Sequence, residues 1–286
     1  MRARIVLIFV LAAVAALASG CGSSDASTGE RAVVAAFYPL AYAAARVDPT
    51  ADVTNLTPNG AEPHDLELTA RDVERVREAD LVLHLEGFMP ALDDALGHGE
   101  NAVDLLDGIR LLARSDGEEA GVDPHVWLDP LRYAAIAERV ADELGEPADA
   151  AGLVGDLRKL DREYRAGLAS CKKRTLATSH AAFGYLADAY DLQQVALTGL
   201  SPEIEPSAQG IESLVAEVEE QGATTVFFEP LLSPDLAETV AREAGVATAV
   251  LNPLEGLTDE ELEAGADYFS VMRQNLDALR RALGCS

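Results

Sequence analysis

Three of the five histidines stand where a folded chain would offer them to a ligand. His64 lies in Pro58-Asn59-Gly60-Ala61-Glu62-Pro63-His64-Asp65, whose prolines and glycine forbid regular structure, so it sits on a loop after a strand. His125 lies in Asp123-Pro124-His125-Val126-Trp127-Leu128-Asp129-Pro130, a proline-bounded loop ahead of a helix. His180 lies in Thr178-Ser179-His180-Ala181, where a strand gives way to a helix. Imidazole is a ligand for zinc and other late first-row metals, and three imidazoles plus an oxygen make a four-coordinate zinc site. Successive members are more than fifty residues apart, which excludes a finger or a local helical motif. A site from these residues must be assembled from separate loops, and in α/β sheets ligands collect beyond the carboxyl ends of the strands. The ordinary role of a lone loop histidine is hydrogen bonding at the surface.

Three histidines with an open fourth position is also the arrangement of a zinc hydrolase. Against that class, the chain has no H-E-x-x-H word, no serine nucleophile elbow and no second metal cluster. A binding protein, not an enzyme, is the expectation. Among the other candidates, His84 reads as packed in a strand or on a cleft wall, and His98 in Gly97-His98-Gly99 as a solvated turn residue. Glu229 precedes a proline at a strand end and could orient a histidine, cap a helix or face water. Asp123 and Asp129 flank His125 and are open to the same orienting role. Trp127 is the single tryptophan and reads as packing.

Positioning such loops requires strands. Short β-type runs fall at 33–37, 53–56, 80–85, 175–178, 195–200, 225–228 and 248–251. Between them, apolar stripes at helical spacing fall over 70–78, 130–144 and 207–221. Alternating strands and helices predict an α/β fold of two lobes with mostly parallel sheets flanked by helices. The segment 149–170 carries Leu153, Leu157, Leu160, Tyr164 and Leu168 and reads as one long helix connecting the lobes. A last helix is expected from Thr258, with Glu261 at capping-box spacing and a stripe running to Leu283. The expected division is an N-terminal lobe over 32–147, the connecting helix over 148–171 and a C-terminal lobe over 172–286.

Residues 1–20 pair two arginines with an apolar run too short to span a bilayer, the pattern of a secretory signal. The run ends in Leu17-Ala18-Ser19-Gly20-Cys21, which resembles a bacterial lipoprotein cleavage site with Cys21 as the lipid-bearing terminus. Residues 21–31 are small and polar, as a tether should be. This places the mature chain outside the cytoplasm, held at the membrane. In such a compartment Cys171 and Cys285 are expected to form a disulfide, two buried thiols being the alternative. The formal net charge of −27 would repel a phosphate backbone, which argues against nucleic-acid binding.

The words PNGAEPHDLELTARD, ADLVLHLEG, DPHVWLDP, TSHAAFGYLADAY, LSPEIEPSAQ, VFFEP and YFSVMRQNLDAL occur in this order over nearly the whole mature chain. Together they resemble the ZnuA-like family of metal-specific solute-binding proteins of bacterial ABC importers, the zinc and manganese receptors. The resemblance implies two lobes joined by one long rigid helix, metal bound as cargo in the cleft and delivery to permease subunits. It implies His64, His125 and His180 as ligands. Manganese-type relatives carry Glu at the third place, so His180 favours Zn2+ over Mn2+ or Fe2+. The fourth ligand is open: Glu62, water, or Asn252, which stands in Leu251-Asn252-Pro253 where some relatives ligate through Asp. Glu62 or water is preferred, since Asn252 offers only a neutral carbonyl. The stretch 113–122 is short and lacks histidine, so it gives no support to a metal-gathering loop. A monomer is the simplest state for such a receptor.

Overall fold

A computed structural model describes residues 31–286 apart from 98, 114–120, 147–148 and 202–206. The expected signal segment, the expected lipidation site Cys21 and its expected tether, His98 and most of the 113–122 stretch therefore lie outside the described residues.

The first half builds β1 (Ala32–Ala35), α1 (Tyr38–Val47), β2 (Asp52–Asn55), α2 (Ala70–Glu78), β3 (Leu81–His84), α3 (Pro90–Leu96) and β4 (Ala102–Asp104). Its sheet is parallel in the order β2-β1-β3-β4. Two helices follow, α4 (Pro130–Leu144) and α5 (Ala150–Leu168). The second half builds β5 (Thr175–Thr178), α6 (Gly184–Tyr190), β6 (Gln193–Ala196), α7 (Ala208–Glu220), β7 (Thr225–Phe228), α8 (Asp235–Ala244), β8 (Ala247–Val250), α9 (Asp259–Glu263) and α10 (Tyr268–Leu283). Its sheet is again parallel, in the order β6-β5-β7-β8. The two lobes thus share one topology. In each, the chain goes to one side of the first strand and then crosses to the other. The central strands are covered on both faces, which is why Val33-Val34 and Leu81-Val82-Leu83 read as continuous apolar runs.

The connecting helix forms where the spacing places it. Leu153, Leu157, Leu160, Tyr164 and Leu168 are all buried, and the Tyr164 hydroxyl donates to the Met272 carbonyl of α10 at 2.6 Å. Two of the expected elements differ in placement or number, and α1, α3, β4 and α8 fall outside the sequence expectation. The strand read at 195–200 instead runs Gln193–Ala196, so 197–200 is not strand. The polar Gln194 belongs to it because its side-chain amide donates to Thr178 Oγ1 at 2.8 Å. The single last helix is two. Gly265 adopts φ +80°, and Asp267 restarts the chain as the N-cap of α10 in a capping box with Ser270.

The restart sends α10 back across the molecule. Its Tyr268 hydroxyl donates to the Trp127 carbonyl at 2.6 Å, and the Trp127 indole donates to the Pro253 carbonyl at 2.7 Å. Asn59 and Gly60, from the first lobe, bond Asp259 Oδ1 and the Leu257 carbonyl. One apolar core consequently runs through both lobes, with a smaller one around Val218, Val226 and Val240 beneath α7 and α8.

Cys171 and Cys285 form a disulfide across a sequence separation of 114. A loop of that length removes substantial entropy from the unfolded chain. Replacing both cysteines by serine is expected to lower unfolding stability by about 2–5 kcal/mol. Urea denaturation with and without reductant measures this, and a wild-type midpoint unmoved by reduction would contradict it.

Candidate metal centre

The loops that follow the carboxyl ends of β2, β5, β7 and β8, with the loop before α4, converge between the lobes. Each carries at least one polar residue that the fold leaves buried. After β2, Thr57 Oγ1 anchors to the Ala36 carbonyl and Gly60, at φ +76°, turns the chain. His64 then packs its ring against Phe88, with centroids 4.4 Å apart. Before α4, Asp129 caps the helix through the Leu131 amide and pairs with Arg132 at 2.7 Å. Asp129 is therefore taken up by the helix start. Asp123 is the residue that meets His125: one carboxylate oxygen accepts the His125 backbone N–H at 2.9 Å and lies 2.7 Å from Nδ1. A Cβ on Gly184 would come within 2.6 Å of the other oxygen, so α6 reaches this close only because it begins with glycine.

After β5, His180 is fully buried and its Nδ1 lies 2.6 Å from Glu229 Oε1, at the end of β7. The Ser179 hydroxyl donates to the same oxygen. A carboxylate can only accept, so Asp123 and Glu229 fix the hydrogen on Nδ1 of His125 and His180 and turn each Nε2 inward. After β8, Glu255 is buried among the three rings. Its Oε1 lies 3.2 Å from Nε2 of His125, 3.2 Å from Nε2 of His180 and 3.5 Å from Nε2 of His64.

His64, His125, His180 and Glu255 each offer one ligand atom, and these four atoms lie within 4.8 Å of one another. Among the described residues, His64 Nε2, His125 Nε2 and Glu255 Oε2 are buried without a hydrogen-bond partner, as is the neighbouring Glu62 Oε2. Unpaired buried polar atoms are destabilising, and convergent ones are what a cation would satisfy.

The side chains also set one another's protonation. Burial alone would hold His180 uncharged, but Glu229 and Glu255 outweigh it and raise its pKa well above the usual imidazole value. His125 is likewise raised, Asp123 and Glu255 overcoming burial. His64 is lowered, with burial the main cause. Burial opposes the charge of Glu255 as well, yet the three imidazoles hold its carboxyl well below the usual range.

The structure brings His64, His125 and His180 together. Glu62 lies beside the cluster, outside the four convergent groups: its Oε1 accepts the His64 backbone N–H at 3.2 Å, and burial with nearby Glu255 pushes its pKa up to about 8. Asn252 commits its side-chain carbonyl to the Leu254 backbone N–H at 2.7 Å. His84 sits on the wall of the first lobe, its Nδ1 3.5 Å from Asp93. Sequence reasoning missed Glu255. The signal was the same one that marked the histidines, a strand-end loop bounded by proline and glycine, Pro253-Leu254-Glu255-Gly256.

Comparison with known proteins gives this arrangement relatives. The profile of the zinc-uptake complex component A (periplasmic, ZnuA) family matches residues 33–282. The high-affinity zinc uptake system protein ZnuA of Bacillus subtilis is 33% identical, over 96% of this chain and 97% of its own length. The zinc-binding protein AdcA of Streptococcus pyogenes serotype M6 is 34% identical over 88% of this chain, which spans only 56% of AdcA. Among solved structures, the Zn(II)-bound ZnuA-like domain of Streptococcus pneumoniae AdcA superposes with a TM-score of 0.77 at 36% identity, covering 89% of this chain and 99% of that domain. A shared two-lobe fold and a profile match along nearly the whole described chain lead to one conclusion: the chain belongs to the ZnuA family of zinc-uptake components.

Proposed function

We propose that this chain is the extracytoplasmic receptor of an ABC importer, which takes up Zn2+ between its lobes and delivers it to the membrane permease. The observation that carries this is the convergence of His64, His125, His180 and Glu255, whose ligand atoms lie within 4.8 Å of one another, with His64 Nε2, His125 Nε2 and Glu255 Oε2 buried and unpaired among the described residues. Three imidazoles and one carboxylate suit tetrahedral zinc, whereas manganese prefers a set richer in oxygen. The ligands are then His64, His125, His180 and Glu255, while Glu62 holds the His64 backbone. Binding needs no covalent step, so the chain acts as a carrier and not as an enzyme. Attachment through a lipidated Cys21 would keep the monomeric receptor beside its permease. The working division is 32–147, 148–171 and 172–286, with α9 and α10 returning to the first lobe.

Stripped protein offered equimolar Zn2+ and Mn2+ is expected to retain about one zinc per chain and little manganese, the ratio a single four-ligand site dictates. Preferential manganese by elemental analysis would overturn the cargo assignment. Acid should weaken the binding. His180 is held protonated by its two carboxylates, so zinc must displace a proton from Nε2. The association constant is expected to fall about tenfold per pH unit, for each proton displaced, where the pH lies below the raised His180 value. Calorimetry in two buffers of different ionisation enthalpy reads the released proton. A pH-independent affinity would remove the protonated His180 from the account.

A further inference from the structure

The loop that presents Glu255 is held in a backbone conformation its residues do not favour. Leu254 has φ +61°, in the left-handed region, and keeps a fully buried leucine side chain there. For a residue with a Cβ, that region carries roughly a tenfold loss of population. One hydrogen bond within the loop and three from outside hold it. Asn252 Oδ1 accepts the Leu254 N–H at 2.7 Å. Asn275, on α10, accepts the Asn252 N–H through Oδ1 at 2.9 Å and donates through Nδ2 to the Asn252 carbonyl at 2.7 Å. The Trp127 indole N–H donates to the Pro253 carbonyl at 2.7 Å. Both asparagines are buried, 6% and 2% exposed, and the amide and carbonyl of Asn252 close on one side chain. Neither asparagine leaves a buried side-chain polar atom without a partner, and a satisfied polar pair specifies one conformation in a core.

We infer that Asn252 and Asn275 are positioning residues for the metal. They clamp the loop so that Leu254 stays left-handed and the Glu255 carboxylate stays among the three imidazoles. The inference rests on reading Glu255 as the fourth zinc ligand. Neither asparagine ligates. Without the clamp, Leu254 relaxes to negative φ, the following peptide reorients, and Glu255 leaves the site while the histidines stay. The apparent affinity then falls by the fraction of chains whose loop is still poised.

The test is zinc affinity by competition with a chromophoric chelator. The panel is wild type, Asn252→Ala, Asn275→Ala, Leu254→Gly and the Asn252→Ala/Leu254→Gly double variant, each checked for folding by circular dichroism. Asn252→Ala and Asn275→Ala are each expected to bind one zinc about tenfold more weakly, the population cost of the left-handed residue. In the Leu254→Gly background, Asn252→Ala should cost less than about threefold, because glycine meets positive φ without penalty. Emission of the single tryptophan should shift in zinc-free Asn252→Ala, since Pro253 no longer fixes its indole. A folded Asn252→Ala with wild-type affinity, or an equal loss in both backgrounds, overturns the clamp and leaves the metal site standing. Wild-type protein that binds no zinc overturns both.

Discussion

Replacing Glu255 by glutamine is expected to weaken zinc binding by at least about 100-fold, since groups that merely orient a ligand cost 10–100-fold when removed. Glu255 does more than orient. Its Oε1 stands 3.2–3.5 Å from all three imidazole Nε2 atoms, and its Oε2 has no partner among the described residues. Glutamine keeps the shape but removes the charge that offsets a buried dication. A second readout is independent of metal. The imidazoles depress the Glu255 pKa, so its contribution to stability is present above the ordinary carboxylate value near 4.5 and is lost as pH falls through the depressed one. The variant should lack that acid limb in urea titrations of zinc-free protein. Glu62→Gln is the control. Glu62 accepts a backbone N–H and lies outside the convergent set, so its affinity loss should stay within a few-fold. If Glu62→Gln were the damaging change, the fourth ligand would be reassigned to Glu62.

That contrast also measures what the sequence discloses. A histidine in a proline-bounded loop is a strong signal in a chain that has five of them. A glutamate in a similar loop is a weak one in a chain with 49 acidic residues. Glu255 was hidden by its abundance, not by its setting. Asn252 was read only as a poor ligand, because nothing in a linear word reports that its side chain turns back onto Leu254. Much of the fold was plainer. Strands buried on both faces announce themselves as apolar runs, and α5 announces itself by its stripe. Elements without those marks stayed unread: β4 is three residues long and only partly buried, and α1 is rich in alanine, which favours no one period. The return of α10 to the first lobe depends on bonds such as Tyr268 to Trp127, 141 positions apart, and no local pattern encodes such a pairing.

The largest stability effect is expected at Glu229. Truncation to alanine should cost about 3–5 kcal/mol in zinc-free protein at pH 6, the range for breaking a buried pair from one side. The pair is 2.6 Å long and entirely enclosed, and the Ser179 hydroxyl loses its acceptor in the same step. The sign of the pH dependence separates this from loss of packing. Burial alone would lower the His180 pKa, but Glu229 and Glu255 raise it well above 6.5. The stabilisation it brings is therefore complete below about pH 6.5 and disappears as pH rises through the raised value. Urea midpoints of wild type and Glu229→Ala should accordingly converge as pH climbs, whereas a cavity would leave a constant gap. Zinc affinity should fall 10–100-fold as well, because the ring loses the acceptor that points Nε2 inward. Glu229→Gln separates the two roles, since its amide oxygen still accepts from Nδ1 but carries no charge. It should keep most of the affinity and lose most of the pH-dependent stability. An affinity loss as large in Glu229→Gln as in Glu229→Ala would mean that charge, not ring orientation, is what Glu229 supplies to the metal.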